Sequence, residues 1–145
     1  SFISSIIKLN SQKEYEEELK TKAFEVMKLL NLEDMASSYA RELSGGQKKL
    51  LELGRAIVKS PRVLLLDEPL AGVNPKLSEQ ILEIINNLIN EGKTVLMVEH
   101  NIEAVMRVSE RVVVMAEGEI IADGPPNEIR TNEKVIAAYL GSDDG

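Results

Sequence analysis

The sequence predicts an α/β fold with parallel strands, and two features carry that reading. SPRVLLLDEP and KTVLMVEH are continuous apolar runs of strand length that end in carboxylates, and an amphipathic helix, NPKLSEQILEIINNLINEG, lies between them. A run without alternation suits a strand covered on both faces, as in a parallel sheet flanked by helices.

The elements follow in order. Tyr15, Leu19, Ala23, Val26, Met27 and Leu30 recur at helical spacing over residues 13–31, and KEYEEELK forms a solvated face there. A polar connection, NLEDMASSYAREL, leads to a helix at 45–58, with Leu50, Leu53 and Ile57 inward and Lys48, Glu52, Arg55 and Lys59 outward. After the first strand, Asn74 caps the central helix and Pro75 takes its first position. Leu77, Ile81, Ile84, Ile85 and Leu88 form its inner stripe, and Gly92 stops it. Asn101 caps a short helix after the second strand. RVVVMAEGEIIADG reads as a strand pair turning at Glu117–Gly118, and GPPNEI and NEKVIAAYLG supply the terminal helices.

Composition narrows the functional classes. The 145 residues are 43% hydrophobic but only 3% aromatic, enough for one aliphatic core. A net charge of −7 disfavours a nucleic-acid partner, whose phosphates call for clustered Lys and Arg. The absence of cysteine excludes disulfides, thiolate metal sites and cysteine nucleophiles. No apolar run reaches the ~18 residues of a membrane span. The opening SFISSIIKLN lacks the basic start of a signal peptide, and its initial Ser fits a fragment or a processed product.

Three places carry chemistry. Ser44 and Gln47 form an S-x-x-Q capping box, with Gly45 and Gly46 filling the first turn. Backbone N–H groups and the helix dipole favour an anion at such an end. No G-x-x-x-x-G-K-[ST] loop is present to cradle a phosphate. Asp67 and Glu68 end one strand and Glu99 and His100 the next, where parallel sheets bind their ligands.

These segments together resemble a known family. LSGGQ (Leu43–Gln47), LLLDEP (Leu64–Pro69), AGVNP (Ala71–Pro75) and VEH (Val98–His100) are similar, in order and spacing, to the signature motif, Walker B, D-loop and switch histidine of ATP-binding-cassette (ABC) transporter ATPases. DEPLAGVNP, VEHN and the tail GEIIADGPPNEIRTNEKVIAAYLG most resemble the ATPase subunits of branched-chain amino acid importers. Lipopolysaccharide-exporter ATPases share a similar tail.

The resemblance implies the C-terminal part of a P-loop NTPase (RecA-like) core, with the P-loop half absent. Residues 1–43 would end the helical subdomain and 44–60 form the signature helix. Residues 61–124 would hold the C-terminal half of the core, and 125–145 the last helices. Such ATPases work as head-to-tail pairs, so Ser44, Gly45, Gly46 and Gln47 would address the γ-phosphate of an ATP bound mainly by a second ATP-binding subunit, identical or related. Asp67 would support Mg²⁺, Glu68 would act as general base, and His100 would contact the γ-phosphate. Asn74 stands where the wider family usually has Asp, and is equally a helix cap. The implied partners are transmembrane permease subunits and, indirectly, a substrate-binding protein, with no nucleic acid. The implied location is the cytoplasmic face of the cell membrane. The chain alone would be inactive without a Walker A loop. Two further classes fit less: a chromosome-maintenance or DNA-repair ATPase, which would bring coiled-coil heptads, and a non-catalytic module docking on a full cassette.

Overall fold

Residues 2–140 are described by a computed structural model, with side chains from 13 to 139. The side chains of the opening SFISSIIKLN and residues 141–145 of the tail lie outside the described part. The chain forms two compact units, residues 1–97 and 98–145.

In the first unit, helix α1 (Phe2–Leu29) is longer than the periodic stretch that predicts it. KEYEEELK is solvent-exposed, with Lys20–Glu17 and Lys22–Glu18 ion pairs at 3.0 and 2.7 Å. The inward stripe is only partly realised. Tyr15, Leu19 and Ala23 are exposed, and cover begins at Val26 and Met27. Helical spacing aligns a stripe, but burial needs a facing element, and among the described residues none covers that part of α1.

Two short 3₁₀ turns, Glu33–Met35 and Ala40–Glu42, bridge the polar connection to α2 (Gly45–Ile57). Leu50, Leu53 and Ile57 are buried on α2, whereas Lys48, Glu52, Arg55 and Lys59 are exposed, as predicted. Glycine backbone makes the close contacts of α2. A Cβ on Gly54 would stand 2.6 Å from Leu30 Cδ1, and one on Gly46 would stand 2.8 Å from Leu77 Cδ2. Helix α3 (Pro75–Asn90) buries Leu77, Ile81, Leu82, Ile84, Ile85 and Leu88, and Gly92 turns away with φ +81°. Gln80 Nε2 donates to the Leu30 carbonyl at 2.9 Å, tying α3 to the end of α1.

Strands β1 (Val63–Asp67) and β2 (Thr94–Val98) are hydrogen-bonded neighbours in a parallel sheet, with α3 as the crossover. The expectation of cover on both faces is corrected here. Leu64 is buried, but Leu65 is 69% and Leu96 60% exposed, with Val63 and Val98 also open. Alternation sends Leu64 one way and its neighbours the other, and among the described residues no element covers that second side.

The second unit starts with α4 (Ile102–Val108), capped by Asn101 Oδ1, which accepts the Ala104 N–H at 3.1 Å. Strands β3 (Val112–Ala116) and β4 (Glu119–Gly124) form the expected antiparallel hairpin, with a bulge between Val114 and Met115. Glu117 and Gly118 both have positive φ, +51° and +84°. That is the backbone of a two-residue primed turn, whose twist matches the flanking strands. Val112, Ala122, Ile129 and Val135 form the core, joining the hairpin to α5 (Pro126–Arg130) and α6 (Glu133–Val135). The final turn, Ile136–Leu140, is a π-helix, and the Tyr139 hydroxyl donates to the Met115 carbonyl.

Arg111 makes a two-pronged bond to Asp123, Nε to Oδ1 at 2.8 Å and Nη2 to Oδ2 at 2.6 Å. That fork holds the Asp123 carboxyl below its usual range. A lowered folded pKa contributes stability above the unfolded value of about 3.9 and loses it as pH falls through the folded one. The protection factors of the hairpin amides, corrected for the intrinsic exchange rate at each pH, are therefore expected to fall as pH drops below about 4. In Asp123→Asn that acid dependence is expected to flatten.

Candidate functional site

The capping box predicted at α2 is present in full. Ser44 Oγ accepts the Gln47 N–H at 3.3 Å, and Gln47 Oε1 accepts the Ser44 N–H at 2.8 Å. Gln47 is thereby engaged in the cap itself. Ser44 and Gly45 are exposed, so the first turn of α2 opens to solvent. The two glycines differ in their surroundings. A Cβ on Gly45 would meet nothing within 4 Å, whereas one on Gly46 would strike Leu77. Gly46 thus has a packing reason that sequence alone did not reveal.

Asp67 closes β1 with an exposed side chain, and the chain then turns sharply at Glu68, a non-glycine residue with φ +44°. This left-handed conformation costs about 1–2 kcal/mol for an L-residue and persists only when its surroundings fix it. The Glu68 carbonyl accepts two hydrogen bonds, from the Ala71 N–H at 3.1 Å and from Lys49 Nζ at 3.3 Å. Pro69 and Leu70 are buried beneath the turn. Gly72 continues it with φ +70°, and Asn74 Oδ1 then accepts the Leu77 N–H at 2.9 Å to start α3.

Ser44, Gly46, Gln47 and Asn74 line one open cavity of about 260 Å³, with Lys76 and Gln80 on its wall. The structure therefore brings the capped end of α2 together with the start of α3. Asp67 and Glu68 do not line that cavity; Lys49 connects α2 to the Glu68 carbonyl instead. His100 belongs to the second unit, where its backbone N–H donates to Glu99 Oε2 at 3.3 Å just before the Asn101 cap.

Among the described residues no three His, Asp or Glu side chains converge. A lone exposed carboxylate such as Asp67 still fits Mg²⁺, which is commonly held by one or two carboxylates while phosphate and water complete its shell.

Residues 2–71 match the family model described as ABC transporter, and residues 119–145 the one described as branched-chain amino acid ATP-binding cassette transporter. The chain belongs to the ABC transporter ATPases. A relative from Archaeoglobus fulgidus, named as a probable branched-chain amino acid transport ATP-binding protein, is 44% identical over 129 residues, which are 89% of this chain and 50% of the relative. A high-affinity branched-chain amino acid transport ATP-binding protein of Pseudomonas aeruginosa is 38% identical over 97% of this chain and 56% of its own length. The lipopolysaccharide export system ATP-binding protein of Escherichia coli is also 38% identical, over 88% of this chain and 53% of its own. The crystal structure of an ATP-binding cassette in its ADP conformation superimposes with a TM-score of 0.77 and 36% identity, over 86% of this chain and 51% of that one. The chain spans about half the length of the relatives it matches.

Within this ABC fold, Lys49 is the residue that sequence reasoning missed. It sits in a run of two lysines that looks like an ordinary solvated helix face, and only the position of the Glu68 carbonyl distinguishes it from Lys48.

The surroundings of the two glycines predict opposite outcomes. In urea unfolding, Gly46→Ala is expected to cost about 1 kcal/mol, because the end of the Leu77 side chain must shift and alanine's helix preference offsets part of that overpacking. Gly45→Ala is expected to be neutral or slightly stabilising, because alanine favours the helix and meets open space.

Proposed function

We propose that this chain is the part of an ATP-binding, ATP-hydrolysing ABC subunit that powers import of branched-chain amino acids. The observation that carries the reading is the exposed, fully capped start of α2, with Ser44 and Gly45 open to solvent. It is a site for an anion that this chain does not itself cradle. The match of residues 119–145 to the branched-chain amino acid cassette model supports the importer class over lipopolysaccharide export.

In this reading Ser44 and the first-turn backbone of α2 orient the γ-phosphate of ATP held mainly by the P-loop of a second ATP-binding subunit. Asp67 holds Mg²⁺, which supplies charge compensation for phosphoryl transfer. Glu68 accepts a proton from the attacking water, and His100 contacts the γ-phosphate. Residues 1–43 end the helical subdomain, 44–60 form the signature helix, 61–124 belong to the ATPase core and 125–145 close the chain. No helix among the described residues is long and apolar enough to cross a membrane. In the same reading, which rests on the likeness to ABC transporter subunits, transmembrane permease subunits supply the pathway, a substrate-binding protein delivers the cargo, and the ATPase sits on the cytoplasmic face.

Phosphate release tests the reading. The 145-residue chain alone is expected to show no sustained Mg²⁺-dependent ATP turnover, and robust turnover would refute the shared pocket. A cassette completed with the P-loop half of the Archaeoglobus fulgidus relative is expected to hydrolyse ATP. There Glu68→Gln is expected to lower kcat by about 10²-fold or more while sparing ATP-driven pairing; unchanged turnover would remove Glu68 from its role. Restored leucine uptake in cells lacking an importer ATPase separates the importer class from lipopolysaccharide export.

A further inference from the structure

We infer that Lys49 is a positioning residue that ties helix α2 to the turn carrying Glu68, so that engagement of an anion at the start of α2 is felt at the Glu68 carboxylate of the same chain. The inference rests on the proposed function only for the identity of that anion, the γ-phosphate of an ATP held by the neighbouring subunit.

The geometry is local and specific. Lys49 lies two residues beyond the Ser44–Gln47 cap, and its stem reaches across to a residue 19 positions later in the chain. Its target is the Glu68 carbonyl, which also accepts the Ala71 N–H that closes the turn. A carbonyl has two lone pairs, and here both observed donors act on one strained hinge. Glu68 holds φ +44° without the freedom of glycine. On the inner side the turn is anchored by buried Pro69 and Leu70, while Lys49 braces it from α2.

The platform from which Lys49 reaches is itself fixed. Gly46 lets α2 approach Leu77 of α3, and Gly54 lets it approach Leu30. A displacement of the start of α2 therefore moves the Lys49 ammonium with it, and the ammonium pulls on the peptide group next to the Glu68 side chain. In a head-to-tail pair, α2 and Glu68 of one chain serve two different nucleotides. Lys49 is then a direct hydrogen-bonded link on this chain between the two pockets, and linkage requires any such coupling of binding to act in both directions. Neighbouring Lys48 is exposed on the outward face and serves as the control.

Hydrogen exchange on the ¹⁵N-labelled 145-residue chain tests the link directly. Lys49→Met is expected to raise exchange at the Ala71 amide several-fold and to shift the Glu68–Ala71 resonances. Lys49→Arg, which keeps a donor, is expected to restore both, and Lys48→Met to change neither. Unchanged exchange at Ala71 in Lys49→Met would overturn the inference. So would an equal loss of protection along the whole of α2, because that outcome is general unfolding rather than a local brace. Lys49→Gln, with a shorter neutral donor, is expected to fall between wild type and Met.

In the completed cassette, Lys49→Met is expected to bring the Hill coefficient for ATP hydrolysis toward one, with Lys48→Met like wild type. An unchanged Hill coefficient in Lys49→Met would overturn the coupling between pockets. If the completed wild-type cassette hydrolysed no ATP, the proposed function would fall, while the exchange experiment would still decide whether Lys49 braces the turn.

Discussion

Helix α2 meets Leu30 and Leu77 with glycine backbone, beside its own buried Leu50, Leu53 and Ile57, and the packing of the end of α1 and the start of α3 against it depends on that close approach. Gly54 admits the Leu30 side chain and Gly46 admits Leu77, each at a distance that a Cβ would forbid. Leu30 is almost wholly buried at this junction, and Gln80 ties α3 to its carbonyl. The end of α1, the start of α2 and the start of α3 are thus held together by close packing and one buried-side hydrogen bond. Close-packed interiors transmit displacement instead of absorbing it. The capped end of α2 is consequently a rigid feature, and the cavity it shares with Asn74 has defined walls.

The same rigidity gives the turn after β1 its meaning. Glu68 occupies a backbone conformation that an isolated peptide would seldom keep. It is kept here by burial of Pro69 and Leu70, by the Ala71 N–H and by Lys49. The strain sits at the residue proposed above as the general base, and such outliers tend to accumulate at functional sites. The second unit stands on other physics. Its hairpin, closed by a primed turn and clamped by Arg111–Asp123, packs on α5 and α6 through a small aliphatic core.

The open faces of β1 and β2 set the scale of what these residues cover. Parallel strands are ordinarily buried on both sides, yet Leu65 and Leu96 remain largely exposed. Relatives of the ABC family are about twice as long as this chain, and the apolar character of these strands suits the larger architecture of those proteins.

The sequence by itself determined the local features whose physics is short-range. The capping box at Ser44, the N-cap at Asn74, the stop at Gly92, the stripe of α3 and the Glu117–Gly118 turn all follow from neighbouring residues and were legible without coordinates. It also carried the family, because LSGGQ, LLLDEP, AGVNP and VEH stand in one chain in the right order. Tertiary structure alone decided the rest. The spacing of Tyr15, Leu19 and Ala23 could not reveal that nothing among the described residues faces them, and an unbroken apolar strand could not reveal which of its faces is covered. Gly46 looked like a bare helix start until Leu77 arrived beside it. Lys49 looked like Lys48 until the turn brought a carbonyl within 3.3 Å. Each of these depends on a contact between residues distant in the chain, and a linear sequence states such contacts only through the fold that makes them.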